Sequence, residues 1–170
     1  MPNSVEHLKG FKSRFPVDVF GLARALGISV RAEDLGEQQS GYLRKELDGT
    51  YAVGLNPYDS DQRRRFTLAH ELGHYFLHRD LLVAGENHFD RLYGGHNDSG
   101  VLKPKHEAQA NRFAAETLMP EAEIRHDYFM HSGSNVEFSG RMANKFDVST
   151  VAMSWRLVNL RIASRDDLGL

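Results

Sequence analysis

Apolar positions recur at helical spacing through Val19, Leu22, Ala23 and Leu26, with Gly27 behind them as a stop, so residues 16–26 are expected to form a helix. A short strand over residues 28–31 follows. Residues 41–45 and 50–55 then read as two strands around Asp48-Gly49, a dipeptide that favours a tight hairpin turn. Asn56-Pro57 closes the second strand, and Asp59 or Ser60 offers a cap for a helix over about 61–79. Residues 80–105, punctuated by Gly85, Gly94-Gly95, Gly100 and Pro104, read as one connection, long enough to serve as a lid or part of a cleft. Helical patterns return over 106–118, from Pro120 to His131, and in a final pair near 139–146 and 150–160 joined by Asp147-Val148-Ser149. The expected class is α+β: a mostly helical core with a small antiparallel sheet and a C-terminal, helix-turn-helix-like pair of helices. The expected organisation is an N-terminal arm over 1–15, a core over 16–131 and C-terminal helices over 132–170 packed on it.

Composition narrows the chemistry. The chain has 170 residues, enough for one domain with a sizeable core, and its 41% apolar and 26% charged residues with a net charge of -2 describe an ordinary globular surface. No overall positive field points to nucleic acid. Cysteine is absent, which excludes disulfides and thiolate metal sites and leaves histidine and carboxylate as the donors for any ion. No run approaches membrane-spanning length and no apolar signal core begins the chain, so no membrane partner is expected and a cytoplasmic setting fits. Histidine is abundant, with nine in all, which matters only where several meet.

They meet in Arg65-Phe66-Thr67-Leu68-Ala69-His70-Glu71-Leu72-Gly73-His74-Tyr75-Phe76-Leu77-His78, which contains His-Glu-x-x-His. Residues four apart on a helix stand on one face, so His70 and His74 can reach a single ion. Glu71, rotated by about 100°, faces the same place from the side and can take a proton from an attacking water without being a ligand. A third ligand is needed. Positions 107, 110, 111, 114 and 118 share a helix face that reads Glu, Ala, Asn, Ala, Leu. Two alanines let that helix lie close to another, which is what Glu107 needs to reach a metal on a neighbouring element. Asn111, one turn on, is placed to hydrogen-bond a ligand histidine from behind. Two imidazoles, one carboxylate and an open fourth position suit a catalytic zinc, while manganese or iron would accept the same donors.

The block His70-Glu71-Leu72-Gly73-His74 with Tyr75-Phe76-Leu77-His78, and the block from Glu107-Ala108-Gln109-Ala110-Asn111-Arg112-Phe113-Ala114-Ala115 through Leu118-Met119-Pro120, together resemble the ImmA/IrrE metallopeptidases of bacteria and phages. The resemblance runs from about Val17 to Leu160. It implies a compact, gluzincin-like form of the zincin metallopeptidase core, with ligands at His70, His74 and Glu107 and a general base at Glu71. It also implies a substrate, a helix-turn-helix repressor or antitoxin whose inactivation releases stress-response or mobile-element genes. Longer members add a C-terminal sensor domain; with Leu170 as the last residue here, any signal is expected to be sensed differently.

Several residues carry competing readings. His78 could pair with His74 as an alternative ligand set, but that register would leave Glu71 without a role, so His78 is expected behind the ligands or in the core. His88, His96 and His106 are expected in loops or solvent. One of them, or Tyr75, Tyr93 or Arg112, could donate a hydrogen bond to the transition state, and the sequence does not choose. Arg63-Arg64-Arg65 reads as a solvated helix face. By the same resemblance the strand from Tyr51 to Leu55 could be an edge that aligns extended substrate, or an ordinary structural strand. Arg141, Lys145, Arg156 and Arg161 give the C-terminal helices the charge of a DNA reader, yet Met142, Phe146, Val148, Val151, Met153, Leu157 and Leu160 form a core-facing set. Packing or partner docking is therefore expected there, with no direct DNA contact. From a different class, a non-catalytic regulator that binds and sequesters a repressor or antitoxin also accommodates these features.

Overall fold

The computed structural model describes residues 10–11, 14–90 and 102–170, with Phe89 and Asp90 described by backbone alone. The fold is α+β. Asp18 accepts a hydrogen bond from the Gly21 N–H at 2.7 Å and opens α1 (Val19–Ala25), and Gly27, at φ +73°, turns the chain into β1 (Ser29–Ala32). β2 (Gly41–Lys45) and β3 (Tyr51–Leu55) pair antiparallel across the expected turn, where Gly49 takes φ +84°. Asp48 Oδ1 fixes that turn by accepting from the Thr50 N–H at 2.9 Å and the Thr50 hydroxyl at 2.7 Å.

Two features of the sheet depart from expectation. Its strand order is β1-β3-β2-β4, with β1 parallel to β3, so the sheet is mixed rather than antiparallel. Tyr51–Leu55 consequently has a partner on either side, which removes it as an edge that could align substrate. The edges among the described residues are β1 and β4 (Asn87–Asp90), and β4 lies inside the stretch read as a loop. Asn87-His88-Phe89-Asp90 holds one apolar residue, too little to display a period of two; its pairing with β2 makes it a strand.

α2 (Asp61–His78) starts on Ser60, whose Oγ accepts from the Arg63 N–H at 3.3 Å. Residues 67–74 of this helix are buried without interruption. It packs against β2 and β3 and also against α3 (Pro104–Leu118), so it is enclosed rather than amphipathic. α3 begins two residues before the expected start, with Pro104 in its first turn.

The contact between α2 and α3 is unusually close. A Cβ added to Gly73 would lie 3.1 Å from Ala110 Cα and 3.2 Å from Ala110 O. Glycine and alanine face each other at the crossing, with the Phe113 ring beside them at 3.2 Å from the same position.

α4 (Glu121–Phe129), α5 (Asn135–Phe146) and α6 (Thr150–Asn159) complete the fold. α5 starts four residues earlier than expected because Ser134 and Glu137 form a capping box, at 3.3 Å and 3.0 Å, within a stretch that reads as loop. Nor is the arginine row a solvated face. Arg63 Nε donates to Ser40 Oγ at 2.9 Å, and Arg65, with 12% side-chain exposure, donates to Asp147 O at 3.2 Å and Phe146 O at 3.4 Å. Among the described residues no helix is long and apolar enough to cross a membrane.

Replacing Gly73 by alanine should force α2 and α3 apart. The expected outcome is a loss of about 1–3 kcal/mol in chemical denaturation, the usual cost of overpacking, and an unchanged midpoint would show that the crossing is looser than described.

Candidate metal centre

His70 and His74 stand one turn apart on α2, with their Nε2 atoms 2.9 Å from each other. Glu107, in the first turn of α3, brings Oε2 to 3.3 Å from both Nε2 atoms. His70 and His74 are 0% and 1% exposed, whereas the Glu107 side chain keeps 29% exposure, so the cluster meets solvent on the carboxylate side.

The donor set fits a divalent ion on two counts. Ligand atoms about 2.0–2.1 Å from a tetrahedral ion stand roughly 3.3 Å apart, and the three edges here are 2.9, 3.3 and 3.3 Å. The proton placement agrees. Asn111 Oδ1 lies 2.9 Å from His70 Nδ1 and can only accept, so Nδ1 carries the proton and Nε2 presents its lone pair to Glu107. A lone pair and a carboxylate oxygen at that distance repel unless a cation sits between them.

Protonation points the same way. Burial alone would raise the Glu107 acid, but the interactions with His70 and His74 outweigh it and hold the carboxyl well below the ordinary carboxylate range. Desolvation pushes His74 down, against the pull of Glu107. An ionised carboxylate facing a neutral imidazole is the state a metal requires. Glu71, next to His70 on α2, is fully buried.

His78 is buried behind His74, with Nδ1 at 3.1 Å from His74 Nδ1 and Nε2 at 3.0 Å from Gln109 Oε1. Tyr75 packs elsewhere: its ring lies 4.9 Å from that of Tyr51 and 5.3 Å from the Arg79 guanidinium, and no ring contact joins it to the three donors. His88 and His106 are buried, contrary to expectation. The His106 ring lies tilted against that of His78 at 4.7 Å, and its Nδ1 accepts from the Lys103 N–H at 3.1 Å, closing the first turn of α3. His88 is enclosed on β4, opposite Leu43. Tyr93 and His96 lie outside the described residues. Asn111 and Arg112 line a groove of about 780 Å³ shared with Trp155 and Arg156 of α6.

Sequence reasoning does not single out Gln109. Its only signal was an i, i+3 relation to His106, which puts both on one side of α3.

An α+β fold with a buried His-Glu-x-x-His helix and a glutamate delivered by the next long helix defines a metallopeptidase-type site. The profile of Peptidase_M78, the IrrE N-terminal-like domain, matches residues 23–158, and the chain belongs to that family. It is similar to Metallopeptidase ImmA of Bacillus subtilis (strain 168), with 33% identity over 104 residues, 61% of this chain and 55% of that protein. The match thus spans about half the length of that curated relative. Membership of a metallopeptidase family implies a metal ion.

Glu107→Gln removes the single anionic donor of the cluster. Zinc affinity, measured by competition with a chromophoric chelator, should fall by more than the roughly 10–100-fold typical of losing an outer hydrogen-bond partner; parent-like affinity would place the ion elsewhere.

Proposed function

We propose that this chain is a zinc-type metallo-endopeptidase that cleaves a helix-turn-helix repressor or antitoxin in the cytoplasm and thereby derepresses stress or mobile-element genes. His70, His74 and Glu107 would hold the ion and Glu71 would be the general base. The observation that carries this reading is the meeting of His70 Nε2, His74 Nε2 and Glu107 Oε2 within 3.3 Å of one another. Two imidazoles and one carboxylate favour zinc, with manganese and iron as alternatives. When bound, the ion supplies Lewis-acid polarisation of the scissile carbonyl and acidifies the attacking water. Glu71 takes a proton from that water on a carboxylate oxygen and returns it to the leaving amine nitrogen as the C–N bond breaks. Asn111 orients His70 through the Nδ1 hydrogen bond, so its lone pair stays directed at the site.

The substrate class rests on the likeness of the two sequence blocks to ImmA/IrrE peptidases. Direct DNA contact by residues 139–160 is not part of the proposal, because two of the three basic side chains there, Lys145 and Arg156, are engaged within the fold. Lys145 Nζ lies 2.8 Å from Asp127 Oδ2, and Arg156 pairs with Glu116 and donates to Met119 O at 3.0 Å.

Glu71→Gln should keep stoichiometric metal while losing on the order of 10²–10⁴ in cleavage rate, read by incubating the chain with a candidate repressor in the presence of metal or chelator. Undiminished cleavage would refute the base assignment. An intact partner held in a stable complex, with derepression indifferent to loss of the ligands, would favour a sequestering regulator instead.

A further inference from the structure

Behind His74 lies a chain of hydrogen bonds that the proposed reaction does not use, running from His74 through His78 to Gln109. Its direction follows from which atoms can donate. Gln109 Oε1 has no proton, so His78 Nε2, 3.0 Å away, must carry one and donate it. A neutral imidazole has one N–H, so His78 Nδ1 is left bare and accepts. His74 Nδ1, 3.1 Å from it, must therefore be the donor. That leaves His74 Nε2 without a proton, and Nε2 is the atom facing Glu107 and His70.

We propose that His78 and Gln109 form a relay that presets the tautomer of His74 for the ion, with His78 as a positioning residue and Gln109 as the group that sets its direction. Asn111 does the same for His70 in a single step, at 2.9 Å. His74 takes two steps because His78, one turn on along the same helix, occupies the position beside its Nδ1. The relay is held from the side. The His106 ring lies tilted against the His78 ring at 4.7 Å and is itself anchored by the Lys103 N–H, which restrains rotation of His78 out of line. Gln109 is exposed at the outer end, so the orientation of a fully buried ligand is governed from the surface of α3.

The relay predicts a pattern that packing alone would not. Removing the terminal acceptor with Gln109→Leu frees His78 to move its proton to Nδ1, and the loss passes to His74. Zinc affinity of the full chain should drop about 10–100-fold, the range for outer partners of metal ligands. Gln109→Glu keeps an acceptor at that end and should bind zinc at least as tightly as the parent. His78→Ala should weaken zinc as Gln109→Leu does, and thermal melting without metal reports whether either variant is still folded. Nitrogen-15 correlation spectra of the metal-free parent should show His74 protonated at Nδ1. Parent-like affinity in Gln109→Leu, equal losses in both Gln109 variants, or His74 protonated at Nε2 would each overturn the relay. The inference rests on the metal reading, and the two can fail separately: a parent chain that binds no zinc refutes the site, whereas tight binding indifferent to Gln109 refutes only the relay.

Discussion

The near-contact of Gly73 with Ala110 is the constraint from which the site follows. Two donors come from α2 and one from α3, so the distance between those helices sets whether Glu107 reaches the histidines at all. Metal–ligand distances tolerate only about 0.2 Å, while a typical pair of packed helices lies 8–10 Å apart depending on the side chains between them. Glycine in a helix costs roughly 1 kcal/mol relative to alanine, and here it stands where the missing Cβ would meet backbone atoms 3.1 and 3.2 Å away. The sequence His-Glu-Leu-Gly-His thus carries two kinds of information. His70, Glu71 and His74 carry the proposed chemistry, and Gly73 brings up the helix that completes the candidate site.

Enclosing α2 creates a second demand. Residues 67–74 are buried throughout, and Thr67, His70, Glu71 and His74 are polar. Buried polar groups are costly unless they are hydrogen-bonded. For the two histidines the Nδ1 partners come from α3 and the last turn of α2: Asn111 for His70 and His78 for His74. The same helix contact therefore assembles the donors and satisfies the polar atoms it buries. A helix carrying this polarity all round would have no stable apolar stripe by itself, so its burial depends on what surrounds it.

Much of this was legible from local signals. The spans of α2, α3 and α6 agree with the sequence reading to within two residues, because Ser60, Pro104 and Ser149 act within one turn of their own helices. The hairpin declared itself through Asp48-Gly49. Glu107 could be sought because Ala110 and Ala114 mark a face built for close packing. What stayed hidden depends on partners far away in the chain. β4 is a strand only because β2 is beside it, and β3 is internal only because β1 returns in parallel. Arg65 reads as exposed until the turn at Asp147, 82 residues later, is laid against it. Gln109 matters through His78, 31 residues earlier, and a polar residue on an exposed helix position gives no hint of that.

The C-terminal helices share in the same geometry. A helix-turn-helix-like pair with several basic residues invites a reading as a reader of DNA, but two arginine contacts give it another role in this fold. Arg65 of α2 donates to both carbonyls at the end of α5, where Asp147 adopts φ 51°, and so caps that helix from the helix of the candidate metal centre. Arg156 of α6, 8% exposed, reaches in the opposite direction, pairing with Glu116 and donating to Met119 O at the end of α3. Charge-assisted bonds of this kind are roughly twice as strong as neutral ones when partly buried. Each of the two helices that carry the donors is thus held by one arginine contact to the C-terminal pair, and the buried Ser139–Ser154 hydroxyl bond joins α5 to α6 at 2.9 Å. A displacement of the C-terminal helices would pull on α2 and α3 together. The pair is thus tied to both helices that meet at the Gly73–Ala110 crossing, on which the spacing of His70, His74 and Glu107 depends.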